Sequence, residues 1–316
     1  MFEAVITLAY FKMTSKRKTI GIVLSLIIIS VCFYYLANSF ICQWEEIRVL
    51  INNIRYFYVA LFFLVFSLEY VMESWFVVKI LSYQGITRPL STVTGIFYLS
   101  GLAKYFPVKG VDIIGRFYLF LKIRVSKSDC MACIIFEAMY SITGTILVIC
   151  LMLLNLKSGS LMLAFIGFAL LFLVSAVLLP FSSQVLNKII PSTLKKKDLF
   201  LIKFNFQQSF NLLFITTVSK AVIGIAFFLM VNSIYSLPLK YLFHIIGIQG
   251  ISWIFTLIAF FVPKGLGVRE VSTVFLLSQY VPKSIALSAS LIYRITTIIL
   301  DGLFVCYGVW ENKKRM

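Results

Sequence analysis

Side chains that bind metals or carry acid–base chemistry are scarce in this sequence. Its 316 residues include only 12 aspartates and glutamates and one histidine, His244, which has no carboxylate at ligand spacing. Cys130 and Cys133 have CxxC spacing, but a second such pair is missing. The sequence therefore predicts no metal site and no cofactor, and we expect His244 to be packed or hydrogen-bonded.

Motifs of nucleotide-driven enzymes and hydrolases are also missing. The chain has no glycine-rich phosphate loop, no paired acidic metal motif and no Gly-x-Ser-x-Gly segment. These absences argue against ATP-driven pumping by this chain alone.

Charged residues are scarce as well, and apolar residues predominate. Only 13% of the residues are charged whereas 61% are hydrophobic, which is more apolar surface than a soluble domain could bury. The formal net charge of +17 comes mainly from short Lys and Arg clusters between apolar stretches. Such clusters mark the cytoplasmic side of a membrane and do not indicate nucleic-acid binding. The sequence therefore predicts an all-α polytopic membrane protein.

The apolar stretches predict about six full spans and two broken helical hairpins. Residues 1–56 would form a signal-anchor span and an interfacial segment, and 156–206 a connecting span with a basic cytoplasmic loop. Both termini are expected in the cytoplasm, the last six residues, 311–316, being a basic tail. The six spans are predicted at 19–36, 57–81, 129–155, 160–180, 207–232 and 284–310.

The two hairpins, at 91–121 and 240–281, are predicted to be re-entrant. The first is broken between Pro107 and Gly110, and its second arm would be only about 16 Å long, roughly half the bilayer. The second is broken between Pro263 and Gly267. Each hairpin lies between two spans, in units 57–155 and 207–310 that have opposite predicted orientations. This arrangement is an inverted repeat of the kind found in alternating-access transporters.

The breaks are candidate binding sites for an anion. Proline removes a backbone donor, glycine permits tight turns, and the helix after each break points its positive dipole end at the break. A phosphate or phosphodiester headgroup would suit this environment, with Arg116 and Arg269 following the breaks. The alternative is that each break only turns the chain and its lysine extends to the interface. The predicted site comprises Lys109, Gly110, Arg116, Lys264, Gly265, Gly267 and Arg269.

Other intramembrane charges are expected to support this site. Glu69 and Glu73 share one helix face, so at least one should meet a cation such as Lys104 or Arg116, or stay protonated. Lys220 is a further charge within a predicted span, and Arg294 shares a face with Asp301. Structural ion pairing is the expected role, and proton coupling by a glutamate is the alternative. The supporting network comprises Glu69, Glu73, Asp112, Glu137, Glu270 and Arg294.

Two segments resemble a known family. The sequence VPKGLGVRE at 262–270, followed by SASLIYR at 288–294, is similar to the membrane region of lysylphosphatidylglycerol synthase/flippase proteins. The family typically has glycine where Lys264 stands. The segment YFPVKGVDIIGR at 105–116 resembles a second family signature, with Glu137 in the place of the family's glutamate in the next helix. The resemblance implies a lipid-translocating fold built from paired re-entrant helices, without the soluble synthase domain.

The leading hypothesis is therefore a flippase-like transporter, not an enzyme, in the cytoplasmic membrane. Its substrate would be an anionic phospholipid or a polyprenyl-phosphate-linked glycan intermediate, with Glu137 and Glu270 neutralising the cations when the site is empty. One alternative is an integral-membrane transferase that uses Glu69, Glu73 or Asp112. Another is a scaffold of envelope glycan assembly. The sequence leaves open a homo-oligomer and membership of an envelope-synthesis complex.

Overall fold

The computed structural model of the chain describes residues 34–38, 41–52, 54–101, 111–158, 166–175, 204–259, 262, 265 and 267–313. All regular elements in these ranges are helices. A short 3₁₀ turn, Leu239–Tyr241, lies directly before the helix that starts at Leu242. The α-helices are α1 (Trp44–Asn52), α2 (Tyr56–Tyr83), α3 (Leu90–Gly101), α4 (Val111–Lys122), α5 (Lys127–Ser158), α6 (Ile166–Ser175), α7 (Phe206–Ile234), α8 (Leu242–Ile258), α9 (Val268–Leu277) and α10 (Lys283–Lys313).

Five segments of the described chain are long and apolar enough to cross a membrane. Four of them, in α2, α5, α7 and α10, coincide with predicted spans. The fifth, Leu239–Ile258, was predicted as the first arm of a hairpin and is long enough to cross by itself. Of the remaining predictions, 160–180 is described only at α6, and 19–36 lies largely outside the described residues.

Helices α2 and α7 run antiparallel through the centre of the bundle. The start of α2 meets the end of α7, because the Arg55 amide donates to the Ser233 carbonyl at 2.8 Å and its guanidinium donates to Ser236. At the opposite ends, the Tyr83 hydroxyl lies 3.5 Å from the side-chain amide of Asn211. The two helices, which open units 57–155 and 207–310, therefore point in opposite directions.

Each predicted hairpin contains a pair of helices that begins and ends on the same side of the bundle. In the first pair, α3 and α4, Arg88 before α3 donates to the carbonyl of Ile123 after α4 at 2.7 Å. In the second pair, α8 and α9, the ring of Tyr241 before α8 packs edge-on against Tyr280 after α9. Since these pairs follow the antiparallel helices α2 and α7, they enter the bundle from opposite ends.

The second break has a local cause that the structure shows directly. Helix α8 ends at Ile258 and α9 begins at Val268, with Gly265 and Gly267 between them at φ +62° and +82°. L-residues with side chains rarely adopt such angles. A Cβ at Gly265 would also overlap the side chain of Thr256. The first break, at 102–110, lies outside the described residues.

Packing between the two units is reciprocal. The first hairpin's α3 packs against α10 of the second unit, and the second hairpin's α8 packs against α5 of the first. Close approach depends on small residues: Gly224 of α7 faces Ile246 of α8, and Gly247 of α8 faces Met152 of α5. The polar groups described next lie on α2, α4, α5, α7, α8, α9 and α10.

Candidate functional site: a charged cluster inside the helix bundle

Arg116 and Glu137 form the first element of the cluster. Helix α4 places Arg116 against α5, where its Nη1 lies 2.6 Å from both carboxylate oxygens of Glu137. The guanidinium also lies 3.9 Å from the centre of the Phe97 ring, and Arg116 is only 6% exposed. A cation this deeply buried needs a partner, and Glu137 provides it.

A second ion pair joins the two central helices. Lys220 Nζ of α7 lies 3.0 Å from Glu73 Oε1 of α2, and Lys220 is 9% exposed. Glu73 thus meets a cation, but this cation is Lys220, while Arg116 pairs with Glu137. Glu69, one turn before Glu73, is buried and interacts electrostatically with Lys220 and with Tyr293.

Glu270 and Arg294 form a third pair beside the second break. Arg294 Nε lies 3.3 Å from Glu270 Oε1, whereas Asp301, which was expected near Arg294, accepts a short hydrogen bond from Tyr70. The other Glu270 oxygen accepts the Gly267 amide at 2.8 Å. One of the amides expected to bind an anion at the start of α9 is therefore already bound to a carboxylate.

Arg269 differs from these three cations, because its polar partners are neutral. Its Nη2 donates to Gln249 Oε1 at 3.2 Å and to the Tyr293 hydroxyl at 3.1 Å, and the guanidinium lies 5.4 Å from the Tyr293 ring centre. In the described part of the chain no carboxylate lies within ion-pair distance of Arg269. Its Nε and Gln249 Nε2 are buried without hydrogen-bond partners among the described residues.

Two narrow cavities run between these charges. The first has only about 10 Å³ open to a water molecule and is lined by Glu73, Glu137 and Lys220, with serines and apolar side chains. The second has about 20 Å³ and is lined by Lys220, Gln249 and Arg269, with Thr145 and Trp253. Lys220 lines both, so the first cavity carries both signs of charge and the second carries two cations.

The structure brings only part of the predicted site together. Glu137, the partner of Arg116, lines the first cavity, and Arg269 lines the second. Gly265 and Gly267 form the turn before α9, and Asp112 lies in the first turn of α4. Lys109, Gly110 and Lys264 lie outside the described residues, so the predicted convergence of two lysines and two arginines stays a prediction.

Three residues of the cluster were missing from the predicted site. Lys220 was expected only as a structural ion pair, although a lysine in the middle of an apolar helix is itself a signal of function. Gln249, the single amide in the apolar run of α8, carried a similar but weaker signal. Tyr293, next to Arg294, was noted only as part of a family motif.

No metal-binding group is found within the described ranges, where no three His, Cys, Asp or Glu side chains lie together. The ring of His244 packs against those of Tyr241 and Tyr280 at the start of α8. Cys130 and Cys133 are both buried in α5 as free thiols.

The family model described as the lysylphosphatidylglycerol synthase transmembrane region matches residues 22–304, which is most of the chain. The match confirms the resemblance drawn from the segments around Arg116 and Arg269. No curated protein matches the chain.

Proposed function

Because the chain belongs to the lysylphosphatidylglycerol synthase transmembrane-region family, we propose that it is a flippase-like transporter of an anionic lipid. The substrate would be an anionic phospholipid or a polyprenyl-phosphate-linked glycan intermediate in the cytoplasmic membrane. The charged headgroup would cross inside the helix bundle while the acyl or isoprenoid tail stays in the bilayer.

The observation that carries the proposal is the charged cluster lining two cavities inside an apolar bundle. Ionisable side chains are costly in the membrane interior and mark transport pathways when they face a cavity. Here Glu73, Glu137, Lys220 and Arg269 all line cavities. If the charges served only to stabilise the fold, the cavities beside them would have no purpose. A cation such as Arg269, whose partners are neutral, would have none either.

The packing of the two units supports alternating access. Their opening helices α2 and α7 are antiparallel, and the helix pairs α3–α4 and α8–α9 enter from opposite ends of the bundle. These are the relations expected of an inverted repeat whose units rock about a central site. In this mechanism the cavities would open alternately to the two membrane surfaces.

The test is movement of headgroup-labelled lipid across the bilayer of liposomes containing the purified protein. Phosphatidylglycerol, its lysyl ester and a polyprenyl phosphate are compared, so that the substrate class is identified. We expect one class to move, and Arg269→Ala to abolish the movement. Lys240→Ala, which removes a cation from the 3₁₀ turn before α8 and outside the cluster, is the matched control and should move lipid at the wild-type rate.

Two further variants address the breaks. Lys109→Ala and Lys264→Ala should also stop transport if the breaks bind the headgroup, and should leave it unchanged if they only turn the chain. Absence of movement for every lipid class, with folded wild-type protein, would refute the transporter. Formation of a new lipid product would then favour the transferase.

A further inference from the structure

The second cavity contains two polar groups whose bonding is incomplete. Arg269 donates to Gln249 Oε1, which fixes the orientation of the amide and turns Nε2 away from Arg269. That Nε2 and the Arg269 Nε are both buried without a hydrogen-bond partner in the described structure. Gln249 itself is only 3% exposed. Buried donors without a partner are uncommon, and each is explained by an acceptor such as a water, an ion or a bound ligand.

The charges around this cavity define the chemistry of the acceptor. Arg269 and Lys220 both line it, and none of the acidic residues in the described part of the chain does. The nearest carboxylate in contact with either cation is Glu73, which pairs with Lys220 and lines the first cavity. The other polar groups of the described chain that line it are neutral, namely Thr145 of α5 and Trp253 of α8. Tyr293 of α10 accepts from Arg269, and Glu69 of α2 interacts electrostatically with Lys220 without lining the cavity. The acceptor should therefore carry negative charge.

The size of the cavity limits what can enter it. The space inside it that is open to a water molecule is only about 20 Å³, which is room for one or two waters. In this closed form the cavity leaves no room for a lipid tail, and a compact oxyanion would enter when the helices that line the cavity move apart in the alternating-access cycle. A phosphate group suits the donor set, because its several oxygens can accept from Arg, Lys and amide groups together.

We propose that this cavity, between α5, α7, α8 and α9, binds a single phosphate or phosphodiester group through Arg269, Gln249 and Lys220. The inference rests on the proposed function in that the phosphate would be the one in the headgroup of the transported lipid. It moves the centre of anion binding away from the break itself, where the Glu270 carboxylate already binds the Gly267 amide.

The decisive variant is Gln249→Glu. The glutamate has nearly the same shape and keeps an oxygen toward Arg269, but it replaces the free amide donor by a negative charge. It should pair with Arg269 and raise the thermal unfolding midpoint of the ligand-free protein. It should also weaken anion binding at least tenfold, because a charge-assisted hydrogen bond is lost and a like charge is introduced.

Binding is measured on the full chain in a phosphate-free neutral detergent, as the rise in unfolding midpoint with ligand concentration. The ligands are dihexanoyl-phosphatidylglycerol, glycerophosphoglycerol and inorganic phosphate, with dihexanoylglycerol as the uncharged control. Response to the short-chain phospholipid alone identifies a lipid headgroup as the source, and an equal response to inorganic phosphate identifies a free anion. Either response supports the site if Gln249→Glu and Arg269→Gln abolish it and Lys240→Gln does not.

Lys220 is tested together with its partner, since removing it alone would leave Glu73 buried without a cation. Glu73→Gln/Lys220→Gln keeps the local charge balanced and should weaken phosphate binding about tenfold. If the phosphate compounds raised the unfolding midpoints of Gln249→Glu and Arg269→Gln as much as that of the wild type, the proposed site would be refuted. The absence of stabilisation by every phosphate compound would refute it as well.

The binding and transport assays separate the two proposals. Wild-type protein that moves lipid, together with an Arg269→Gln variant that moves it equally well, would reject the phosphate site and keep the transporter. Wild-type protein that binds phosphate in this cavity but moves no lipid would reject the transporter and keep the site.

Discussion

The Arg116–Glu137 pair should be one of the strongest single contributions to the stability of this bundle. Arg116 is 6% exposed and contacts both oxygens of Glu137, whose side chain is 22% exposed. Removing one partner of a buried pair costs roughly 3–5 kcal/mol in soluble proteins. Single polar interactions in membrane proteins average only about 0.6 kcal/mol, because the unfolded chain also finds partners. We expect Glu137→Ala to cost about 2–4 kcal/mol, between these limits.

A double-mutant cycle isolates the contribution of the pair. Arg116→Met and Glu137→Met are measured separately and together by unfolding in mixed detergent and SDS micelles, followed by tryptophan fluorescence. The double variant contains no uncompensated charge. Its decrease in the free energy of unfolding should therefore be smaller than the sum of the two single decreases by about 2 kcal/mol or more. Lys122→Met, at the exposed end of α4, should change stability by less than about 0.5 kcal/mol. A coupling below about 0.5 kcal/mol would refute the reasoning.

Three further predictions concern backbone and side-chain packing, and each is read from the unfolding midpoint in detergent. Gly265→Ala should destabilise more than Gly85→Ala: both have positive φ, which costs about 1–3 kcal/mol, but only Gly265 faces a side chain, that of Thr256. Equal losses would contradict the overlap. Gly224→Ala should separate α7 from α8 at Ile246 and lower the midpoint, whereas Gly302→Ala, with open space around it, should leave the midpoint unchanged or raise it. Tyr70→Phe removes the hydroxyl that donates to Asp301 and should lower the free energy of unfolding by about 1.5–3 kcal/mol. A decrease as small as that of Tyr118→Phe, which changes an exposed ring, would argue against this bond.

The course of the chain through the bundle could be predicted from the sequence because its causes are local. Apolar length marks α2, α5, α7 and α10, and the glycines before Val268 mark the break, since few other residues adopt their backbone angles. The start of the second hairpin was also predictable, since the apolar segment Leu239–Ile258 begins one residue before the predicted arm at 240. That this segment is long enough to cross a membrane was not part of the prediction.

The charge pairs could not be predicted in the same way, because they depend on how distant helices are rotated against one another. Lys220 and Glu73 are 147 residues apart, and either could have faced several other charges. The bond from the Gly267 amide to Glu270 is different, since it spans three residues and has the spacing of a capping box. That spacing was present in the sequence and indicates that the start of α9 is already capped.

The length of the two central helices has a consequence for the membrane around them. At 28 and 29 residues, α2 and α7 are each about 42 Å long, whereas the hydrocarbon layer is about 30 Å thick. The helices must therefore tilt, extend their ends into the headgroup region, or be surrounded by a locally thicker bilayer. The exposed rings of Tyr56 and Phe57 at the start of α2 are suited to the headgroup level. Bilayer thickness, set by acyl-chain length, should therefore influence how the two central helices are inclined, and with them the shape of the cavities that they line.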